Sequence, residues 1–190
     1  DHHEVFVTAS IGIATFPEDG ISAEVLIRNA DTAMYHAKQQ GKAAFQYYSA
    51  AMNAASVERL TLETGLRRAL EDGSLELHYQ PQVEMKSGRI IGAEALLRWK
   101  HPERGYISPS SFIPIAEASG LILPIGEWVL ERACAQAVTW QRAGLPQIAV
   151  AVNVSGVQFQ RQDLTAVVRR KLAATGLAPS LLHIEITETV

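Results

Sequence analysis

Two hydrophobic periods alternate along this chain. Val5 to Phe16 (VFVTASIGIATF) reads as a strand, and extended runs recur at Leu75 to Val83, Arg89 to Leu97, Gln147 to Ser155 and Leu181 to Thr187. Between them the apolar spacing turns helical. Ser22 can cap a helix carrying Leu26, Ile27, Ala30, Ala33, Met34 and Ala37 that stops at Gly41. Ala44 to Tyr48 is expected to be an edge strand, and Ser49 to Asp72 one or two helices with a Leu62, Leu66, Leu70 stripe, stopped by Gly73. A helix start falls at Ser108-Pro109-Ser110, a longer helix runs from about Ile125 to Ala143 before Gly144, and another spans Asp163 to Thr175 before Gly176.

The turn containing Lys86-Ser87-Gly88 joins Leu75–Val83 to Arg89–Leu97 as an antiparallel hairpin, with Pro81 suited to an edge or a bulge. His101 to Gly105 is expected to be a turn. The later alternation of strand and helix favours an α/β architecture with a parallel sheet. The opening strand has no preceding element to pair with, so the chain reads as cut. Ser49 to Asp72 lacks the Pro, Gly and Ser of a flexible linker and is expected to join two domains stiffly, residues 1–50 and 51–190.

Composition narrows the class of protein. With 190 residues, 47% of them hydrophobic, the chain can bury a real core. Its net charge of -3 and scattered Lys and Arg give no basic stripe, which argues against a nucleic-acid duplex as partner. Its single cysteine, Cys134, allows no internal disulfide and fits an inert thiol in a reducing compartment, so the cytoplasm is expected. The apolar runs fall short of a membrane span, so no membrane contact is expected within these residues; an inner-membrane anchor of a longer parent would lie outside them.

A few polar residues stand out against these elements. In Glu94-Ala95-Leu96-Leu97-Arg98-Trp99 the alternation puts Glu94, Leu96 and Arg98 on one face and Ala95, Leu97 and Trp99 on the other. A carboxylate in an apolar strand needs a metal, a counter-charge or hydrogen bonds, so Glu94 is either paired with Arg98 or a ligand. Asn153 and Glu185 are the outliers of their own strands and, like Glu94, fall near strand ends, where parallel β/α folds gather functional groups. Oxygen ligands without His or Cys suit Mg²⁺ or Mn²⁺ better than zinc. His183 reads as a hydrogen-bonded core histidine. Gln80, at the Pro81 interruption, serves either a ligand or the surface. Lys38 and Lys42 either complement a helix dipole or face phosphates. His2 and His3 read as a solvated strand end.

Two resemblances build on these residues. SIGIATFPEDG followed by LIRNADTAMYHAKQQGK resembles the carboxyl-terminal third of a GGDEF domain, the diguanylate cyclase fold. That resemblance implies phosphate contacts for Lys38 and Lys42, where active enzymes most often have Arg. Ala43 departs from the common Asn. The signature that names the family would precede Asp1, so no cyclase activity is assigned.

YQP, EALLRW, SFIPIAE, VNVSGVQF and IEITE, in this order from about Val57 to Val190, resemble an EAL domain, the cyclic di-GMP phosphodiesterase family. The resemblance implies a modified (β/α)8 TIM barrel with an antiparallel first strand, here about half present. It implies Glu94, Asn153 and Glu185 as metal ligands, Gln80 and Arg98 as contacts to the dinucleotide, and Glu188 as the acid that holds a neighbouring active-site loop. Glu94 and Glu188 thereby join the catalytic set.

The implied reaction is metal-assisted hydrolysis of cyclic di-GMP to linear pGpG by a parent tandem GGDEF-EAL protein, expected to be a homodimer. The family's Asp-Asp pair, Lys and further Glu would follow Val190, so these residues alone are expected to have little or no activity. Two other readings stand beside it: a non-catalytic cyclic di-GMP receptor, and a pair of folds serving only dimerisation or protein contact.

Overall fold

A computed structural model describes residues 7–39, 41 and 43–187. Its contacts divide the chain between Thr61 and Leu62. In the first unit, β1 (Ile11–Ile13) pairs in parallel with β2 (Phe45–Tyr47), and α1 (Ala23–Gln39) connects them. Among the described residues of the strand expected from Val5 to Phe16, which exclude Phe6, only Ile11–Ile13 pair, because β2 offers three partners. Val5 itself lies outside the described residues.

Ser22 caps α1 as anticipated, its Oγ accepting from Val25 N–H at 3.4 Å. Asn29 and Ala33 on α1 are buried. Gly12 lies so close to this helix that a Cβ there would stand 1.8 Å from the Ala30 carbonyl oxygen.

A single helix, α2 (Ala50–Asp72), follows. From Leu62 onward the second unit contains β3 (Leu75–Val83), β4 (Ile90–His101), β5 (Gly105–Ile107), α3 (Pro109–Ser119), α4 (Ile122–Arg142), β6 (Ala149–Ser155), α5 (Gly156–Arg161), α6 (Leu164–Thr175) and β7 (Leu182–Thr187). β3 and β4 form the expected antiparallel hairpin. β4, β6 and β7 run parallel in that order. Pro81 sits on β3, which pairs only with β4 among the described residues, so its missing N–H costs no ladder bond.

One expectation is corrected here, and two elements join those read from the sequence. α4 starts at Ile122, because α3 ends on Gly120 in the left-handed conformation (φ 78°) and the chain re-enters a helix almost at once. The expected turn at His101–Gly105 leads into β5, which pairs with the extended end of β4. The stretch after Ser155 forms the short α5.

The sheet has two unlike faces, because residues opposite one another in a ladder share a side. Leu75 and Tyr79 of β3, Ala95 and Trp99 of β4, Val150 and Val152 of β6 and Leu182 of β7 lie on one face. This face meets the core formed with Leu62 and Leu66 of α2, Phe112 of α3 and Ile125, Leu130 and Cys134 of α4. Trp99, 1% exposed, packs edge-on to Phe112 with ring centroids 5.7 Å apart. Gly65 keeps α2 close, since a Cβ there would lie 3.1 Å from the Trp99 ring. Burial pushes the Cys134 thiol up to about 11 and the Tyr79 hydroxyl up to about 12, as expected of groups without water to stabilise their anions.

Candidate active site on the polar face of the sheet

The opposite face carries the polar side chains. Gln80 stands opposite Glu94, Glu94 opposite Ala151, and Asn153 opposite Glu185, so all four polar residues share one side, with Arg98 four residues along from Glu94. Asn153 Nδ2 donates to Glu94 Oε1 at 2.6 Å, joining adjacent parallel strands. The half-buried Glu94 therefore finds its compensation in an amide.

The expected alternative, an ion pair between Glu94 and Arg98, does not form. Arg98 instead bends back, Nη1 donating to the Leu97 carbonyl at 2.9 Å. That bond uses one of five guanidinium N–H donors and leaves the others for a ligand.

The topology opens a crevice at this point. On one edge of β4, Gly92–Ala95 pairs with β6 and Trp99–His101 with β5, leaving Leu96, Leu97 and Arg98 without a ladder partner on that edge among the described residues. Neighbouring strands that part at the carboxyl end of a parallel pair are where α/β sheets bind ligands. A cavity of about 210 Å³ opens there, lined mainly by apolar residues of the helix-covered side, among them Leu97, Ile113, Ile125 and Val129, with Arg98, Asn153 and Gln158 among its polar members. Glu94 lies in the middle of β4, at the end of its parallel stretch rather than of the whole strand.

The other expected residues fall in different settings. Gln80 and Glu185 share the face and are exposed. His183 shares it too, but it is exposed on β7 rather than a hydrogen-bonded core histidine, because apolar neighbours along the strand do not bury its own side. Lys38 is exposed in the last turn of α1. Lys42, Glu188, His2 and His3 lie outside the described residues.

Gln158 had no place in the sequence expectations, although Ser155-Gly156-Val157-Gln158 has the spacing of a capping box. Ser155 Oγ accepts from Gln158 N–H at 3.4 Å, and Gln158 Oε1 accepts from Ser155 N–H at 3.0 Å. On β3 and β5, Tyr106 donates to Glu76 at 2.8 Å, and that bond holds the Glu76 carboxyl below the usual range.

No group of three His, Cys, Asp or Glu side chains among the described residues could hold a metal ion. The candidate set is two carboxylates and an amide. With Asn153 Nδ2 spent on Glu94 Oε1, Asn153 Oδ1 and Glu94 Oε2 lie outside that bond, a pair of oxygens that fits a hard divalent cation.

A mixed sheet with parallel β4, β6 and β7, helices on one face and polar groups on the other defines an α/β protein. Residues 63–190 match the EAL domain family, and the chain belongs to it; residues 1–44 match the diguanylate cyclase GGDEF domain. The bifunctional diguanylate cyclase/cyclic di-GMP phosphodiesterase MucR of Pseudomonas aeruginosa is 49% identical over 98% of this chain and 27% of its own length. The cyclic di-GMP phosphodiesterase PdeR of Escherichia coli is 40% identical over 98% of this chain and 28% of its own length. The chain thus spans little more than a quarter of these relatives.

The PaMucR phosphodiesterase in complex with c-di-GMP superposes with a TM-score of 0.65 at 48% identity, covering 67% of this chain and 52% of that one. The Xanthomonas citri FimX EAL domain in complex with c-diGMP gives 0.61 at 28% identity, covering 72% and 53%. This likeness supports a partial barrel with an antiparallel first strand.

Proposed function

We propose that these residues belong to a tandem GGDEF-EAL protein whose EAL domain hydrolyses cyclic di-GMP to pGpG. The observation that carries the reading is the Glu94–Asn153 hydrogen bond on the face that also bears Gln80, Arg98 and Glu185. The phosphodiesterase names of MucR and PdeR support it.

Glu94, Asn153 and Glu185 would hold Mg²⁺ or Mn²⁺. The cation, when bound, supplies a water of lowered pKa and neutralises charge developing at phosphorus. Arg98 would clasp a phosphate in two-pronged fashion, and Gln80 would orient the dinucleotide through its amide. Glu188 would hold the neighbouring loop. Lys38 and Lys42 are proposed as phosphate contacts of the GGDEF part. The EAL site would work in the cytoplasm, as a homodimer, with no part for duplex nucleic acid.

Calorimetry of a parent protein containing these residues with cyclic di-GMP, with and without Mn²⁺, tests the reading. Binding that Arg98→Ala abolishes is expected. Absence of binding with or without the metal would overturn it.

A further inference from the structure

Gln158 is 2% exposed, yet its Nε2 is buried with no hydrogen-bond partner, while its Oε1 holds the Ser155 N–H. The acceptor duty fixes which way the amide points, since turning it over would set Nε2 against that N–H. Nε2 rests against Gly126 of α4: a Cβ on Gly126 would lie 1.8 Å from it. Gln158 thus occupies the side-chain space of residue 126, wedged between a helix of the apolar layer and the end of β6. Ser155, whose N–H it holds, is two residues beyond Asn153, on the same face.

We propose that Gln158, seated on Gly126, is a positioning residue for the Glu94–Asn153 pair. It fixes the last residues of β6, and through them the amide that orients the Glu94 carboxylate. Removing Gln158 loosens Ser155 and lets Asn153 leave Glu94. An alanine at Gly126 does the same by evicting Gln158. Outer partners of this kind commonly tune metal affinity by about ten- to a hundredfold. Only that consequence rests on the function proposed above; the positioning itself does not.

The test compares Gln158→Ala, Gly126→Ala, the double variant and Gln158→Glu in this chain, the last keeping an acceptor for Ser155 N–H. NMR follows the Asn153 side-chain NH₂ signals, and Mn²⁺ titration follows affinity. Expected are displaced Asn153 signals and about tenfold weaker Mn²⁺ binding in Gln158→Ala, with signals near wild type in Gln158→Glu. Gly126→Ala is expected to be rescued in melting temperature by Gln158→Ala, because the methyl then fills vacated space. Should Gln158→Ala fail to fold, displaced Asn153 signals in Gly126→Ala carry the same expectation. Unchanged Asn153 signals in every folded single variant would overturn the proposal, as would additive Gly126 and Gln158 effects. A wild-type chain that binds no Mn²⁺ would contradict the proposed metal site alone, leaving the NMR comparison to decide this inference.

Discussion

The two faces of the β3-β4-β6-β7 sheet are built from the same strands by the same alternation, yet they serve different ends. The face of Ala95, Trp99, Val150 and Val152 is closed by helices, and its energy comes from apolar area and close packing. The face of Gln80, Glu94, Asn153 and Glu185 holds polar groups that contribute little to burial. Adjacent residues therefore lie in opposite settings: Ala95 in the core, Glu94 among polar groups. A substitution on the first face should move stability and one on the second should move binding.

The largest expected separation is at Trp99. Trp99→Ala should cost about 3–5 kcal/mol by removing a fully buried ring, read as a lowered urea midpoint. Glu94→Ala should leave that midpoint within about 1 kcal/mol. An equal loss in both would break the division between faces.

A smaller effect is expected in alkali. The Cys134 and Tyr79 pKa values are raised by burial, so their stabilising contribution is complete below their unfolded values and falls as pH rises toward about 11 and about 12. Stability should decline from near pH 9, by up to about 2–3 kcal/mol for the thiol at the upper limit. Cys134→Ala should remove the first part of that slope in denaturation curves measured across pH.

Weaker still is the clasp of α6 on α4, where Lys171 reaches Glu131 at 2.7 Å and Glu127 at 3.6 Å. Lys171→Met should cost about 0.5–1 kcal/mol and lose that effect in high salt. The smallest change concerns Glu76, whose lowered pKa gives a contribution present above the usual carboxylate range and lost as pH falls through the folded value. Tyr106→Phe should raise that carboxyl's titration midpoint in NMR and slightly lower stability at neutral pH, a difference that vanishes below the usual carboxylate range.

Much of this division was legible in the sequence. Glu94 and Arg98 could be placed on one face because β4 alternates over enough residues to fix its phase, and Asn153 and Glu185 stood out in otherwise apolar strands. β5 was not legible, since three residues give too few periods to mark a strand. The Val5–Phe16 pattern overreached because alternation shows where a strand could pair, not how much partner there is. His183 was misplaced because burial depends on what covers a face, not on apolar sequence neighbours. The bond of Asn153 to Glu94 joins residues 59 apart and needed the fold. Gln158 was within reach, through the capping-box spacing that marks α5.

The most direct measurement is cyclic di-GMP hydrolysis by a parent protein containing these residues, assayed with Mn²⁺ in wild type and Glu94→Gln. Metal-dependent formation of pGpG is expected in the wild type and a loss of at least about a hundredfold in Glu94→Gln, with the fold intact by circular dichroism. Undiminished hydrolysis by Glu94→Gln would contradict this expectation.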